Sequence, residues 1–519
     1  MGGSRTTARC LICVIAAVFA VASPVGADQA DARKIYRQTV RSVAWVRGTK
    51  SCTGWLFDRE RKLLVSSARG VGKDDSLQIC FPEFQDGKLI AEREYYENEA
   101  KPISGKVIAR DTKRDLVVIQ LEAVPDGVTA LKLAGESVAA GDRLHAILNT
   151  TASPGLWGYS SGLVRQIYRK KEQLQGTPLD ARIVLSQLPM NPGDNGGPIV
   201  NDAGELVAVA AAAVDKTRLV TIAIDVSEVR DFVAKIKVDK TQEEGEKGRM
   251  GEGENGRRAV NSFAAREFVA LPPPHNTPCN ESLAADFRSP SPLLPFSPSP
   301  LLLYPVAADF QQLLPATVWI VSSRAKENGC TGCLVDRKRG LVLTAARMVG
   351  DDETVKVWFP VFEDDKLVGE RDHYRNKVDP IQARVLQREP RCGLALLLLD
   401  SVPESAAELK LAAASAEPGE DVQTIGNPVF TTGLWVFHQG VVRQVFRRKA
   451  KLKDADFDAR VLQTQTPYNP GDAGGPVVNG KGELIGIVDG AVQGTQYVTQ
   501  CIDVTEISSI LKNAKKDKE

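Results

Sequence analysis

Short apolar runs recur along the chain, each bounded by Gly, Asp, Asn or Pro. SVAWVRG at 42–48, LLVSSA at 63–68, DLVVIQLEAV at 115–124, RLHAIL at 143–148 and ARIVLSQ at 181–187 are rich in Val, Leu and Ile and too short for helices. DAGE at 202–205 and NGKGE at 479–483 each separate two apolar runs and read as hairpin turns. Three segments differ and follow helical spacing: 31–40, 226–237 and 504–516. Many short strands with few helices predict an all-β architecture of sandwich or barrel type.

The pattern occurs twice. CTGWLFDRERKLLVSSARGVG from Cys52 returns as CTGCLVDRKRGLVLTAARMVG from Cys330. LWGYSSGLVRQIYRK from Leu156 returns from Leu434, and NPGDNGGPIV from Asn191 returns as NPGDAGGPVV from Asn469. Each pair stands 278 residues apart. A constant offset over this length indicates two homologous domains, 28–236 and 309–519, rather than a short-period solenoid. Between them, 237–308 turns Gly-rich and charged, then rich in Pro and Ser, which denies the backbone a regular ladder and predicts a disordered linker. It contains His275 and Cys279, to which no chemistry is assigned. Each repeat, carrying a full set of strands, is expected to fold alone.

The N-terminal end adds a destination. Arg5 and Arg9 precede an apolar run at 11–22, and Val25-Gly26-Ala27 places small residues before Asp28. This predicts a signal peptide over 1–27 and a secreted or periplasmic chain; twelve apolar residues are too few to cross about 30 Å of hydrocarbon, so no membrane span is expected after cleavage. Lys and Arg number 66 against 65 Asp and Glu, a balance that offers no global attraction to nucleic acid. Seven cysteines follow position 27, an odd number in a disulfide-permissive compartment. Cys52 and Cys80, read as lying on neighbouring strands, are expected to pair. Cys330-x-x-Cys333 has the spacing of a metal or redox pair but lacks companion ligands, so no metal and no cofactor is expected. Asn149-Thr150-Thr151 fits the glycosylation acceptor pattern.

The glycine loop carries the sharpest signal. Asn-Pro-Gly-Asp-x-Gly-Gly-Pro followed by an apolar hairpin resembles the nucleophile loop of trypsin-like serine proteases, and is most similar to the bacterial HtrA-like (DegP-like) group. Upstream, an apolar-Ser/Thr-Ala-x-Val segment after a strand resembles the family's histidine segment, and Arg114-Asp115-Leu116-Val117-Val118 its aspartate segment. The resemblance covers nearly all of both repeats and implies two six-stranded barrels per repeat with a cleft between them. No PDZ-like domain is seen after either repeat, which departs from typical HtrA-like enzymes and leaves the oligomeric state open.

The chemistry of that family needs a hydroxyl nucleophile, an imidazole base and a carboxylate. The matching positions in repeat one are Asn195, Arg69 and Asp115; in repeat two they are Ala473, Arg347 and Gly393. An amide nitrogen is no nucleophile, and a guanidinium keeps its proton and offers only donors. Of the four histidines, none falls at a base position. The resemblance therefore implies a pseudoprotease. Gly193, Asp194, Asn195 and Gly471, Asp472, Ala473 are candidates for a surviving oxyanion hole built from main-chain N–H groups, and a peptide or protein ligand is the expected partner in the cleft. Ala210–Ala213 would line its side-chain pocket in repeat one by resemblance. Two alternatives stand beside this reading. One is an HtrA-like endopeptidase with a non-standard site, using Ser160 or Ser161; the other is a structural duplicate with vestigial clefts. The resemblance further implies that Asp115 meets Arg69, whereas Arg347 should turn to solvent or to Asp351 or Asp352. The basic strands at Arg165/Arg169/Lys170/Lys171 and Arg443/Arg447/Arg448/Lys449 are read as protective edge strands.

Overall fold

In a computed structural model the described residues are 31–236 and 310–516, without 175, 214–220, 311, 325–328, 365, 430–432 and 452–455. The signal-peptide reading of 1–27 and the linker reading of 237–308, with His275 and Cys279, lie outside the described residues.

The apolar runs become strands, and the strands close into barrels. In repeat one, Val43–Arg47, Ser51–Asp58, Leu63–Ser67, Leu116–Leu121, Ile103–Asp111 and Ser76–Cys80 close in that order, all antiparallel. Gly158–Leu174, Thr177–Ser186, Thr221–Asp225, Leu206–Ala213, Pro198–Val200 and Arg143–Leu148 close the second. Repeat two builds the same pair, from Thr317–Val321 to Leu394–Leu399 and from Asp421–Gly426 to Thr499–Asp503. The chain is thus mostly β, with two closed six-stranded barrels in each half.

Burial follows the two-residue period of a strand. In Leu116–Leu121, Val117, Ile119 and Leu121 enter the first barrel's core, while Leu116 and Val118 are buried on the outer side, so the run is apolar except at the half-buried Gln120. The predicted helices appear as Ala32–Thr39, Val226–Val233 and Val504–Lys516. Among the described residues, four short helices were not foreseen: Ala68–Val71, Arg93–Asn98, Ala346–Val349 and Arg371–Lys377. One or two turns are too short to show helical periodicity.

The same period corrects the cysteine expectations. Cys52 stands opposite Val46 and Cys80 opposite Trp45, both across the strand Val43–Arg47. Adjacent residues point to opposite faces of that strand, so Cys52 joins the barrel core and Cys80 joins a cluster outside it with Trp45 and Tyr96. Both are buried free thiols. Cys330 and Cys333, three apart on one strand, likewise fall into separate clusters and cannot chelate one ion. Asn149, the glycosylation candidate, is buried with its side chain bonded to Ala44 O and Trp157 N.

The basic residues lie on the outer parts of two long strands: 158–163 and 436–441 pair with one barrel neighbour, whereas 164–174 and 442–451, which carry the arginines and lysines, pair with the next strand alone among the described residues. Arg169 pairs with Glu228 and Asp180, and Arg447 with Asp458 and Glu506. Glu228 and Glu506 belong to the equivalent helices of the two repeats, so these charges fasten helix to barrel.

Both repeats fall in one compact body, joined along a polar seam. Gln444 Nε2 donates to Ser153 Oγ at 2.7 Å, and Gln465 bonds both the N–H and the carbonyl of Ser161 at 3.0 and 2.8 Å. Gln496 N donates to Asn191 Oδ1 at 2.6 Å. Approach is this close because position 155 is glycine: a Cβ there would lie 2.8 Å from Gln444 Oε1 and Phe446 Cδ1. Independent folding of each repeat must therefore contend with exposing this seam.

All six cysteines in the described residues are expected to react with iodoacetamide in guanidinium and to resist it in the native protein. Mass mapping without reductant checks this; a Cys52–Cys80 peptide would contradict the strand geometry.

Candidate functional site

The site forms where a strand end, a helical turn and a glycine loop meet. The strand Leu63–Ser67 pairs with Leu116–Leu121, with Ser67 opposite Leu116. That register brings Asp115, just before the second strand, beside the helical turn Ala68–Val71 that follows the first. Ser67 caps the turn by accepting from Gly70 N at 3.0 Å. It also donates to both oxygens of Asp115, at 2.9 and 3.0 Å.

Arg69 completes the arrangement. Its Nη2 lies 2.8 Å from Asp115 Oδ2 and its backbone N–H donates to Oδ1 at 2.8 Å. Nη2 also reaches the carbonyl of Ala211 at 3.3 Å. The Asp115 side chain is 1% exposed and that of Arg69 13%. A buried carboxylate thus has three donors and a counter-charge, which is what its burial demands.

The glycine loop closes the other wall. Thr53 fixes it twice, its hydroxyl donating to Gly193 O at 3.0 Å and its N–H to Asn195 O at 3.0 Å. Gly193 has φ +96°, and a Cβ there would lie 2.4 Å from Thr151 Oγ1; no other residue fits. A Cβ at Gly70 would lie 3.4 Å from that of Asn195, so the loop and the Arg69 turn abut. Among the described residues, neither the Gly193 nor the Asn195 N–H donates to a protein acceptor. They border a cavity of about 1030 Å³ with Arg69, Lys50, Lys73, Arg110 and Thr151 in its walls. Ala210, Ala211 and Ala212 are absent from that lining, contrary to expectation. Ala210, Ala211 and Ala212 are buried, with Ala210 in the core of the second barrel.

Asp194, between the two open N–H groups, points away into the protein. It accepts from Asn191 N at 2.7 Å and Thr150 Oγ1 at 2.8 Å. Burial pushes its carboxyl up to about 6, against the pull of Arg443, Thr150 and Asn191. Arg443 comes from repeat two, is 1% exposed, and hydrogen-bonds Ser160 Oγ. No signal within repeat one points to it, because its role depends on how the two repeats pack.

Repeat two diverges. Arg347 bonds the carbonyl of Asp489 and, at 3.2 Å, the hydroxyl of Tyr468, with Asp489 Oδ1 at 3.5 Å. It therefore turns neither to Asp351 nor to Asp352, of which Asp352 is engaged by Ser323. Gly393 keeps the left-handed turn (φ +75°) that Asp115 adopts in repeat one (φ +56°) but brings no carboxylate. The loop is held as before, Thr331 bonding Gly471 O at 2.7 Å and Ala473 O at 3.0 Å, and Ala473 is buried. Burial raises the Asp472 carboxyl to about 6. Its neighbour is His438 at 3.9 Å, which burial holds below the ordinary imidazole range.

The alternative nucleophiles lie in the seam. Ser160 is buried under Arg443. His145 stands opposite Ser161 across paired strands, a proximity invisible in sequence. Its ring nitrogens, however, are taken by Tyr159 Oη at 2.6 Å and Asp202 Oδ1 at 2.7 Å.

Comparison with known proteins fits this geometry. A model of the trypsin-like peptidase domain matches residues 52–209 and 330–487. A serine protease HtrA-like protein of Staphylococcus epidermidis is 23% identical over 223 residues, covering 40% of this chain and 37% of the relative. A probable periplasmic serine endoprotease DegP-like protein of Pseudomonas putida is 32% identical over 108 residues, 21% of each. The chain thus spans well under half the length of these relatives. Among solved structures, the active form of the Rv3671c protease from M. tuberculosis aligns with a TM-score of 0.33 at 22% identity, over 44% of this chain and 92% of that one.

Two expectations follow from the buried carboxylates. Asp115→Ala should lower stability by roughly 3–5 kcal/mol, the cost of breaking a buried pair, read from the denaturation midpoint by tryptophan fluorescence. Asp194 titrates higher folded than unfolded, so the native state holds its proton more tightly and the charged form weakens the fold as pH rises from about 4 through about 6. The melting temperature of Asp194→Asn relative to wild type should therefore climb between pH 4.5 and 6.5 and level off above. A difference that is flat across that range would contradict the burial argument.

Proposed function

Because the chain belongs to the trypsin-like peptidase domain family, we propose that it is an exported tandem of proteolytically silent domains whose first repeat binds peptides. One observation carries the reading: a guanidinium bonded to Asp115 at 2.8 Å stands where the family's imidazole is needed. A general base must accept a proton from the nucleophile, and a guanidinium has no lone pair to offer at any accessible pH. The neighbouring nucleophile position is an amide, Asn195, and in repeat two a methyl group, Ala473. Losing triad members typically costs about 10⁴–10⁶ in rate.

Binding does not need the triad. The rigid loop, the open N–H groups of Gly193 and Asn195 and the cavity beside them suit a peptide held by backbone hydrogen bonds. Export rests on the signal-like segment 1–27. For repeat two a structural role is the better reading. It supplies the buried Arg443 to repeat one, and its own loop presents a buried Ala473.

A fluorophosphonate probe tests the silence directly. Wild-type protein should remain unlabelled and should not cleave casein. Arg69→His with Asn195→Ser, which sets imidazole and hydroxyl around Asp115, should become labelled, while neither single variant does. Labelling of the wild type would refute the proposal.

A further inference from the structure

We propose that the cleft of repeat one is selective for acidic peptides; this rests on the peptide-binding reading above and adds the ligand's charge. The cleft walls carry four cations, Lys50, Arg69, Lys73 and Arg110, against one acid, Asp75. Two of the cations are answered within the protein. Arg69 pairs with Asp115 at 2.8 Å, and Arg110 lies 3.8 Å from Asp75 while donating to the carbonyls of Gly72 and Asp74. Lys50 and Lys73 are exposed, and among the described residues neither ammonium has an acidic partner. Two uncompensated positive charges therefore face the same cavity of about 1030 Å³.

The neutral groups have the same bias. The free N–H groups of Gly193 and Asn195 are donors, and the hydroxyls of Ser51, Thr112, Thr151 and Thr177 can donate, whereas that of Thr49 is held by Asp74. A carboxylate entering this cleft meets donors and cations, while a lysine side chain would meet like charge. Partly enclosed clefts of one sign concentrate ligands of the other, and rejecting the wrong charge contributes to specificity as much as attracting the right one.

The second repeat supplies an internal contrast. At the positions of Lys73, Asp74 and Asp75 it has Asp351, Asp352 and Glu353, and at those of Thr151 and Asn195 it has Val429 and Ala473. On the same scaffold, the rim lysine at position 73 has become the acid Asp351, and the polar side chains of Thr151 and Asn195 have become apolar. Acid selectivity is accordingly assigned to repeat one alone.

The test uses the full chain and fluorescein-labelled nonapeptides rich in Glu, in Ser and Gly, or in Lys, read by anisotropy. Glu-rich peptides should bind about tenfold tighter than Lys-rich ones at low salt, with the preference collapsing at 0.5 M NaCl. Lys50→Glu with Lys73→Glu should reverse the order, and circular dichroism checks that these surface changes leave the fold intact. Asp351→Lys in repeat two should leave it unchanged. If all three peptides bind alike, acid selectivity falls and peptide binding stands. If none binds, both fall. An oligonucleotide or heparin that binds tighter than the Glu-rich peptide would overturn a peptide as the occupant.

Discussion

A carboxylate buried beneath the glycine loop is the constraint on which this molecule is organised. Asp194 holds the loop by accepting from Asn191 N and Thr150 Oγ1, and so sets where the Gly193 and Asn195 N–H groups lie. Its charge is expensive away from water, and burial has already carried it to about 6. The opposing field comes from Arg443 of the other repeat, itself buried. Loop geometry in one repeat is thus tied to the presence of the next. The polar seam, with its Gln–Ser contacts, is the matrix that lets a guanidinium be buried there at all.

The two cleft arginines show which part of the old site is structural. Arg69 and Arg347 both reach a main-chain carbonyl at the same register position, Ala211 in one repeat and Asp489 in the other. Their carboxylate partners differ in origin: Asp115 precedes a strand, whereas Asp489 lies on the strand that supplies the carbonyl. The turn at Asp115 and Gly393 is left-handed in both, a conformation that glycine adopts freely and a side chain resists. Asp115 remains in it because Ser67 and Arg69 reward the strain with three side-chain hydrogen bonds and a backbone one. Without those partners, glycine is the residue the turn prefers.

Much of this was legible in sequence. The 278-residue offset and the short apolar runs predict β domains in tandem, and the resemblance to trypsin-like proteases implies barrels and a meeting of Arg69 with Asp115. The misses share one cause: they depend on faces and packing, which residue type does not encode. Cys52 and Cys80 flank the same strand but address opposite faces. Arg443 reads as one more cation on a basic strand until the second repeat is placed against the first. Arg347 had nearer acids in sequence, yet Asp489 was closer in space.

The seam also decides why the repeats cannot exchange roles. In a two-fold pairing, a contact from residue i to j is matched by one from j to i. Arg443 reaches Ser160, so symmetry would send Arg165 to His438. Instead Arg165 is exposed while Arg443 is 1% exposed. The difference lies in the receiving residue. A serine leaves room beneath the loop for a guanidinium, and its hydroxyl accepts from it. An imidazole at that position already occupies the space near Asp472, 3.9 Å from its carboxylate, and would add a competing donor. One repeat therefore receives a cation from outside and the other carries its own titratable group. The asymmetry at Ser160 and His438 gives the first repeat a buried cation from the second, with no matching contact from Arg165 to His438 among the described residues.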